Sequence, residues 1–400
     1  METSSVDPPS PKVLVYPVIS VSDRAHSPGE AWQLVLQRGL ESLRVGRFDD
    51  AETSFARAHR LNPDSPEVCY ALGRERLRRG DANAAEPLLL AAWQGDRTLA
   101  SAAGTLARCQ GLHLGRFDDA HATLDDACAT HRPMALLEVV RSELLLEQGR
   151  PELAREHAEA ALASAESESV RNAARAALAR VCNVDGLAAV DQGDRERALF
   201  LFKRAADLDP QWSSPHVNTG AVFACLGNRQ RALHSYRNAI EIDANNHLAQ
   251  LNYGLLLRAL GDTEGALTAL EQAVECDPSA MDTAIILARA YIDADRPDSA
   301  IEFLTCQLDA HADHAELWVL MGTAMLATGQ ADRAESSWRR ALACDPNHAE
   351  ACLRLADLLT RQARFREATV LAERAQKHPI KPPPGSEESP GVPSQPSRYP

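Results

Sequence analysis

Residues 315–348 read AELWVLMGTAMLATGQADRAESSWRRALACDPNH, and this stretch decides the fold. It is a 34-residue unit carrying Trp318 at position 4, Met321-Gly322 at 7 and 8, Gly329 at 15, Ala334 at 20, Trp338 at 24, Ala341 at 27 and Pro346 at 32. Alanines in phase with Ala334 recur along the chain as Ala51, Ala85, Ala120, Ala154, Ala198, Ala232, Ala266, Ala300 and Ala368. The ten alanines are spaced by 34, 35, 34, 44 and then five times 34 residues, so the chain is an array of ten repeats. A fixed period of this size means one supersecondary unit that cannot bury its own apolar face and stacks on its neighbours.

The other positions fall into the same phase, with repeats starting near 32, 66, 101, 135, 179, 213, 247, 281, 315 and 349. Position 15 is Gly46, Gly80, Gly115, Gly149, Gly193, Gly227, Gly261 and Gly329, with Asp295 and Ala363 as exceptions. Glycine there predicts a left-handed cap that ends a first helix. Position 27 is alanine except at Gln307, and position 24 is usually large: Phe55, Leu89, Leu124, Phe202, Tyr236, Leu270, Leu304, Trp338. The small residues let two helices approach, and the bulky one fills the groove beside them. Proline at position 32 (Pro63, Pro210, Pro278, Pro346) stops the second helix.

At 45% hydrophobic and only 5% aromatic, the chain must build its interior from alanine and leucine, which suits closely packed helices. A net charge of −14 argues against nucleic acid or an anionic membrane surface as the main partner, since both select a basic footprint. The short apolar run Val13–Val21 follows acidic Glu2 and Asp7 and is broken by Pro17, which is unlike a signal peptide. No later stretch has membrane-spanning length. The nine cysteines are odd in number and include no Cys-x-x-Cys pair, so a reducing, cytoplasmic setting is expected. Cys69, Cys182 and Cys352 fall on position 4, where packing explains them.

The pattern resembles the tetratricopeptide repeat over about residues 32–378. That resemblance implies an all-α, right-handed α-solenoid of stacked antiparallel helix pairs, the tetratricopeptide superhelix. Repeats three, four and ten match less well: Gly104 and Glu138 take position 4, and Ala158 and Ala372 take position 24. The expected organisation is a disordered or docking segment at 1–28, repeats one to four at 32–168, an extended helix with repeats five to ten at 169–378, and a disordered Pro-rich tail at 379–400. The Val13–Val21 run is expected either to cap the first repeat or to occupy the protein's own groove.

The 44-residue step is an insertion around Ser169 to Leu178 without Gly or Pro. With Ser169 as N-cap, the first helix of repeat five should run from about Val170 to Gln192, roughly 15 Å longer than its siblings. It is expected to be a junction between two arrays, or alternatively a basic docking arm presenting Arg171 and Arg175.

In tetratricopeptide arrays the first helices line an inner surface, with positions 2, 5, 6, 9 and 12 pointing into it. The resemblance therefore implies a partner-binding groove formed by Val217, Asn218, Leu248, Leu251, Asn252, Leu255, Ile285, Ile286, Arg289, Val319 and Leu320, continued by Leu353 and Arg354. Its apolar character fits an amphipathic helix or apolar peptide. Asn218 and Asn252 share position 6, which resembles the asparagine ladder in the tetratricopeptide arm of O-GlcNAc transferases. The Lys/Asn/Arg clamp by which some members grip chaperone tails is missing: Val217, Ala221, Asp282 and Ile286 stand in its places.

No HExxH, GxSxG, phosphate-loop or dinucleotide signature is present, so no catalysis and no cofactor are expected. Cys109, His113, His121 and Cys128 are the best metal candidates, but their helix faces should diverge, so no metal is expected. The expected function is a non-catalytic scaffold for protein–protein interaction. The alternative is an accessory subunit recruiting substrates for a separate enzyme such as a glycosyltransferase. Neither reading fixes the oligomeric state.

Overall fold

In the computed structural model, which describes residues 31–130 and 134–378, every regular element among the described residues is helical. The 1–28 segment with its Val13–Val21 run and the 379–400 tail lie outside the described residues. Two compact units are present. Among the described residues, one holds those up to Ala188 together with Asp207–Asp209; the other holds Ala189–Ala206 and those from Pro210 to His378.

In chain order the helices are α1 (Ala31–Arg44), α2 (Phe48–Leu61), α3 (Pro66–Arg78), α4 (Ala82–Gly95), α5 (Ala100–Arg108), α6 (Phe117–Thr130), α7 (Ala135–Glu147), α8 (Pro151–Ser164) and α9 (Glu168–Asp191). They continue as α10 (Arg195–Leu208), α11 (Ser214–Cys225), α12 (Arg229–Ile242), α13 (His247–Leu260), α14 (Thr263–Cys276), α15 (Met281–Asp293), α16 (Pro297–Ala310), α17 (Ala315–Ala327), α18 (Ala331–Cys344), α19 (Ala349–Arg361) and α20 (Phe365–Lys377). Within each unit, consecutive helices joined by short turns pack as antiparallel pairs, and each pair stacks on the next in the manner of an α-solenoid. None of the described helices is long and apolar enough to cross a membrane.

Position 15 is where each first helix stops. The eight glycines there have φ between +69° and +83°, and Asp295 and Ala363 are forced to +56° and +60° by the same turn. Position 16 then starts the second helix: Asp81, Asn228 and Asp262 accept from the backbone N–H of Ala84, Arg231 and Gly265 at 3.1, 3.3 and 3.0 Å. A Cβ is strained in the left-handed region, so Ala363→Gly is expected to stabilise the C-terminal repeat by about 1 kcal/mol. Urea unfolding would show this as a higher midpoint; a lower midpoint would contradict the turn assignment.

Positions 8 and 24 are matched in size. A Cβ on Gly322 would stand 2.5 Å from Trp338, one on Gly220 2.5 Å from Tyr236 and one on Gly73 2.9 Å from Leu89. The ring or branched side chain at 24 therefore lies directly on the backbone of the first helix, and its burial follows: Phe55, Leu89, Phe202, Tyr236 and Trp338 are all 0% exposed. In repeat ten, where position 24 shrinks to Ala372, position 8 is Ala356. Cys69, Cys182 and Cys352 are buried free thiols, as position 4 requires.

The 35-residue interval has a local cause. After α5 the chain makes a π-helical turn, Cys109–His113, which absorbs one extra residue without breaking the rod. Before that turn the phase is one residue earlier than counting back from Ala120 suggests. Position 4 of repeat three is therefore the buried Ala103, not Gly104, and position 8 is Ala107. Glu138 at position 4 of repeat four is accommodated by His157, whose Nδ1 lies 2.5 Å from its Oε2.

The insertion is helical: α9 has 24 residues. Its start lies two residues earlier, because Ser167 rather than Ser169 caps it, accepting from Val170 N–H at 3.2 Å. Ala174, Leu178 and Val181 on its stripe are buried and Val170 is half-buried.

Candidate partner-binding surface

First helices of neighbouring repeats touch in the second unit, α11 with α13, α15 with α17 and α17 with α19, and α13 meets α15 where His247 Nε2 lies 2.7 Å from Thr283 Oγ1 and Leu251 and Leu255 pack against Ile286 and Leu287, so their inner positions follow one another in a row. The eleven sequence-predicted groove residues divide along that row by depth. Val217 packs with Tyr236 and Leu256, Ile285 and Leu320 with Leu304 and Leu308, Ile286 with Leu270 and Leu287, and Val319 with Trp338 and Leu355. These five are at most 5% exposed and belong to the interior. Asn218 and Asn252 are 8% and 6% exposed. Leu248, Leu251 and Leu255 on α13 are half-buried, seated on that interior with one side open. Leu353 is 42% exposed and Arg354 is exposed.

Arg289 joins a charged cluster that the position-by-position reading did not foresee. Its Nη2 is 2.7 Å from Glu316 Oε1 and 3.8 Å from Glu350 Oε2, while its buried Nε has no protein partner among the described residues. His348 Nε2 lies 3.0 Å from Glu316 Oε2, and Arg354 donates to Glu350 Oε1 at 3.2 Å. Glu316 and Glu350 share position 2 of successive repeats, so the cluster follows from the period once acids occupy that place. Burial works to raise the Glu316 carboxyl pKa, but the His348 hydrogen bond and the Arg289 charge prevail and hold it below the usual range. The hydrogen bond to Glu316 raises His348 above its ordinary 6.5 against the opposing effect of burial.

The two shifts set a pH window. His348, raised in the fold, contributes stability that is complete below its unfolded pKa and is lost as pH rises through the folded value. Glu316, depressed in the fold, contributes stability above its unfolded pKa that is lost as pH falls through the folded value. The C-terminal repeats should therefore be most resistant to melting between about pH 5 and 6.5. His348→Gln should flatten the alkaline limb of a Tm–pH profile; an unchanged limb would remove the His348–Glu316 pair from the account.

The first unit carries a comparable inner cluster. Glu143 takes Arg108 Nε at 2.6 Å and Nη2 at 3.3 Å, and Arg180 Nη1 lies 3.5 Å away. Burial works to raise the Glu143 carboxyl pKa, and the two arginines nevertheless hold it low. Arg74 lies 5.4 Å from the centre of the Tyr70 ring. With the phase corrected for the π turn, Arg74, Arg108 and Glu143 all occupy position 9. The 35-residue interval was the available signal.

Arg171 and Arg175 are engaged locally. Arg171 bonds Glu168 at 2.8 Å and the Ala165 carbonyl at 3.2 Å, and Arg175 donates to the Asp207 carbonyl at 3.4 Å. Cys109 is buried with its thiol 3.5 Å from the Ala82 carbonyl, and His121 faces Gln148 at 3.1 Å. Among the described residues no group of three or more His, Cys, Asp or Glu could hold a metal ion.

Comparison with known proteins gives a consistent family. Three family models, each described as tetratricopeptide repeat, match residues 257–318; 36–101, 112–169 and 223–281; and 315–358. No curated protein matches the chain. Among solved structures, a monomeric mutant of IFIT1 with m7Gppp-AAAA superposes with TM-score 0.50 at 13% identity, covering 78% of this chain and 72% of that one. YrrB, a TPR protein with an unusual peptide-binding site, gives 0.37 at 19% identity over 44% of this chain and 91% of its own. MamA gives 0.38 at 19% identity over 43% and 94%. At these identities the IFIT1 likeness speaks to fold alone. The family matches, the ten-fold phase and the paired helices agree: this chain belongs to the tetratricopeptide repeat family.

Proposed function

We propose that this protein is a non-catalytic interaction scaffold that holds a peptide or amphipathic helix of a partner along the inner positions of repeats six to ten. The observation that carries the reading is the open side of Leu248, Leu251 and Leu255, three leucines on one helix followed in the same row by the Arg289–Glu316–His348–Glu350 cluster. Apolar anchors beside fixed charges bind and orient a partner segment. Val217, Ile285, Ile286, Val319 and Leu320 serve the same surface from beneath by fixing where those side chains stand. Asn218 and Asn252 lie too deep to act alone as a backbone-gripping ladder, which favours a dedicated partner over indiscriminate substrate recruitment.

Selection of peptides from a random library on the full chain tests this. Enriched peptides should carry apolar anchors and should lose binding when the α13 leucines are changed. Enriched peptides that bind such a variant undiminished would refute the reading.

A further inference from the structure

The outer surface of repeat ten breaks a rule that repeats six to nine keep. At position 22 those repeats carry His234, Thr268, Glu302 and Ser336, and at position 18 Gln230, Glu264, Asp298 and Asp332. Repeat ten carries Val370 and Arg366 instead. Val370 is 56% exposed and looks into a groove of about 620 Å³ between α18 and α20, lined also by Leu342, Leu355, Leu371 and Arg374. The carboxylates beside it are already taken: Glu335 and Glu367 bond Arg339 at 2.8 and 3.0 Å and Arg364 at 2.9 Å each. Among the described residues Arg366 has no carboxylate partner, and Arg374 donates to the Pro346 carbonyl at 3.3 Å. An apolar floor with unmatched guanidinium groups at its rim thus stands on a chain whose net charge is −14.

We infer that the α18–α20 groove is a second docking site, separate from the inner surface, for an acidic amphipathic helix of a partner protein. Charge complementarity selects the sign: carboxylates on the incoming helix meet Arg366 and Arg374, and its apolar side covers Val370, Leu371 and Leu342. Shape selects the form. A groove flanked by helices of 14 and 13 residues is about 20 Å long, which a helix of three to four turns fills.

The test uses the full chain and a fluorescein-labelled 14-residue peptide with leucines along one helical face and glutamates on the other, beside a version with lysines for the glutamates. Arg366→Asp with Val370→Ser installs the residues that repeat nine carries at these positions, so the helix should be retained, as an unchanged melting curve would show. Anisotropy titrations should give binding of the acidic peptide, none of the lysine version, and a loss of about tenfold or more in the variant. Equal binding of both peptides, or of wild type and variant, overturns the proposal. So does self-association in sedimentation that the variant abolishes, which would make the occupant a second copy. A gain in affinity on Glu387→Lys with Glu388→Lys would make the occupant the chain's own tail, and overturns it equally. Inner-surface variants should leave this binding unchanged, so either proposal can fail alone.

Discussion

Trp338→Ala will lower the unfolding free energy by about 3–5 kcal/mol, as removal of a fully enclosed ring does where the surroundings cannot collapse. Trp338 is 0% exposed, its Nε1 donates to the Val319 carbonyl at 3.1 Å, and its ring rests on Gly322. The truncation therefore empties the junction of α17, α18 and α19, where Val319, Leu355 and Leu359 also meet. Because repeats are coupled to their neighbours, the loss should appear as a cooperative shift of the C-terminal repeats in urea unfolding. Phe202→Ala, also at position 24 and 0% exposed, belongs in the same range. Gly322→Ala attacks the contact from the other side and should destabilise although it adds only a methyl group. Unchanged unfolding in all three would refute the phase from which the helix pairing follows.

The second large effect is on binding. Leu248→Glu combined with Leu255→Arg should weaken the inner-surface partner by about a hundredfold, since two apolar anchors are removed and charge enters their place. These replacements are chosen from the repeat itself. Position 2 is Glu316 and Glu350 in later copies, and position 9 is Arg289, so α13 can carry them without leaving the family pattern. Ile285 would be a poor target by contrast: it is 4% exposed among Leu304, Leu308 and Leu320, and a charge there would unfold the repeat. Retained helicity and Tm with lost binding is the expected result; lost binding together with lost Tm would show that α13 is supporting structure.

Nearly all of the fold is legible in the sequence because the repeat is written ten times, and each copy checks the others. Gly46 to Gly329 name the left-handed turn, and the structure extends it to Asp295 and Ala363, whose identity alone would not suggest it. The misplacement in repeat three has a definite origin, since one inserted residue was absorbed as a π turn inside the helix rather than in a loop. The groove is less legible. Position numbers say which way a side chain leaves the helix but not how far the next repeat overlaps it, and that overlap separates Ile285 and Val319 from Leu251 and Leu255. The charged clusters were hidden for a related reason: Arg289 meets Glu316 and Glu350 across repeats, and pairing at such separations is set by stacking.

The proposed binding site is the inner surface of repeats six to ten. The most direct measurement is capture of binding partners from native lysate, quantified side by side with wild type, Leu248→Glu/Leu255→Arg and Arg366→Asp/Val370→Ser. One dominant protein should be lost with the inner-surface variant and retained by the outer-groove variant. An unchanged set of captured proteins with the inner-surface variant would contradict it.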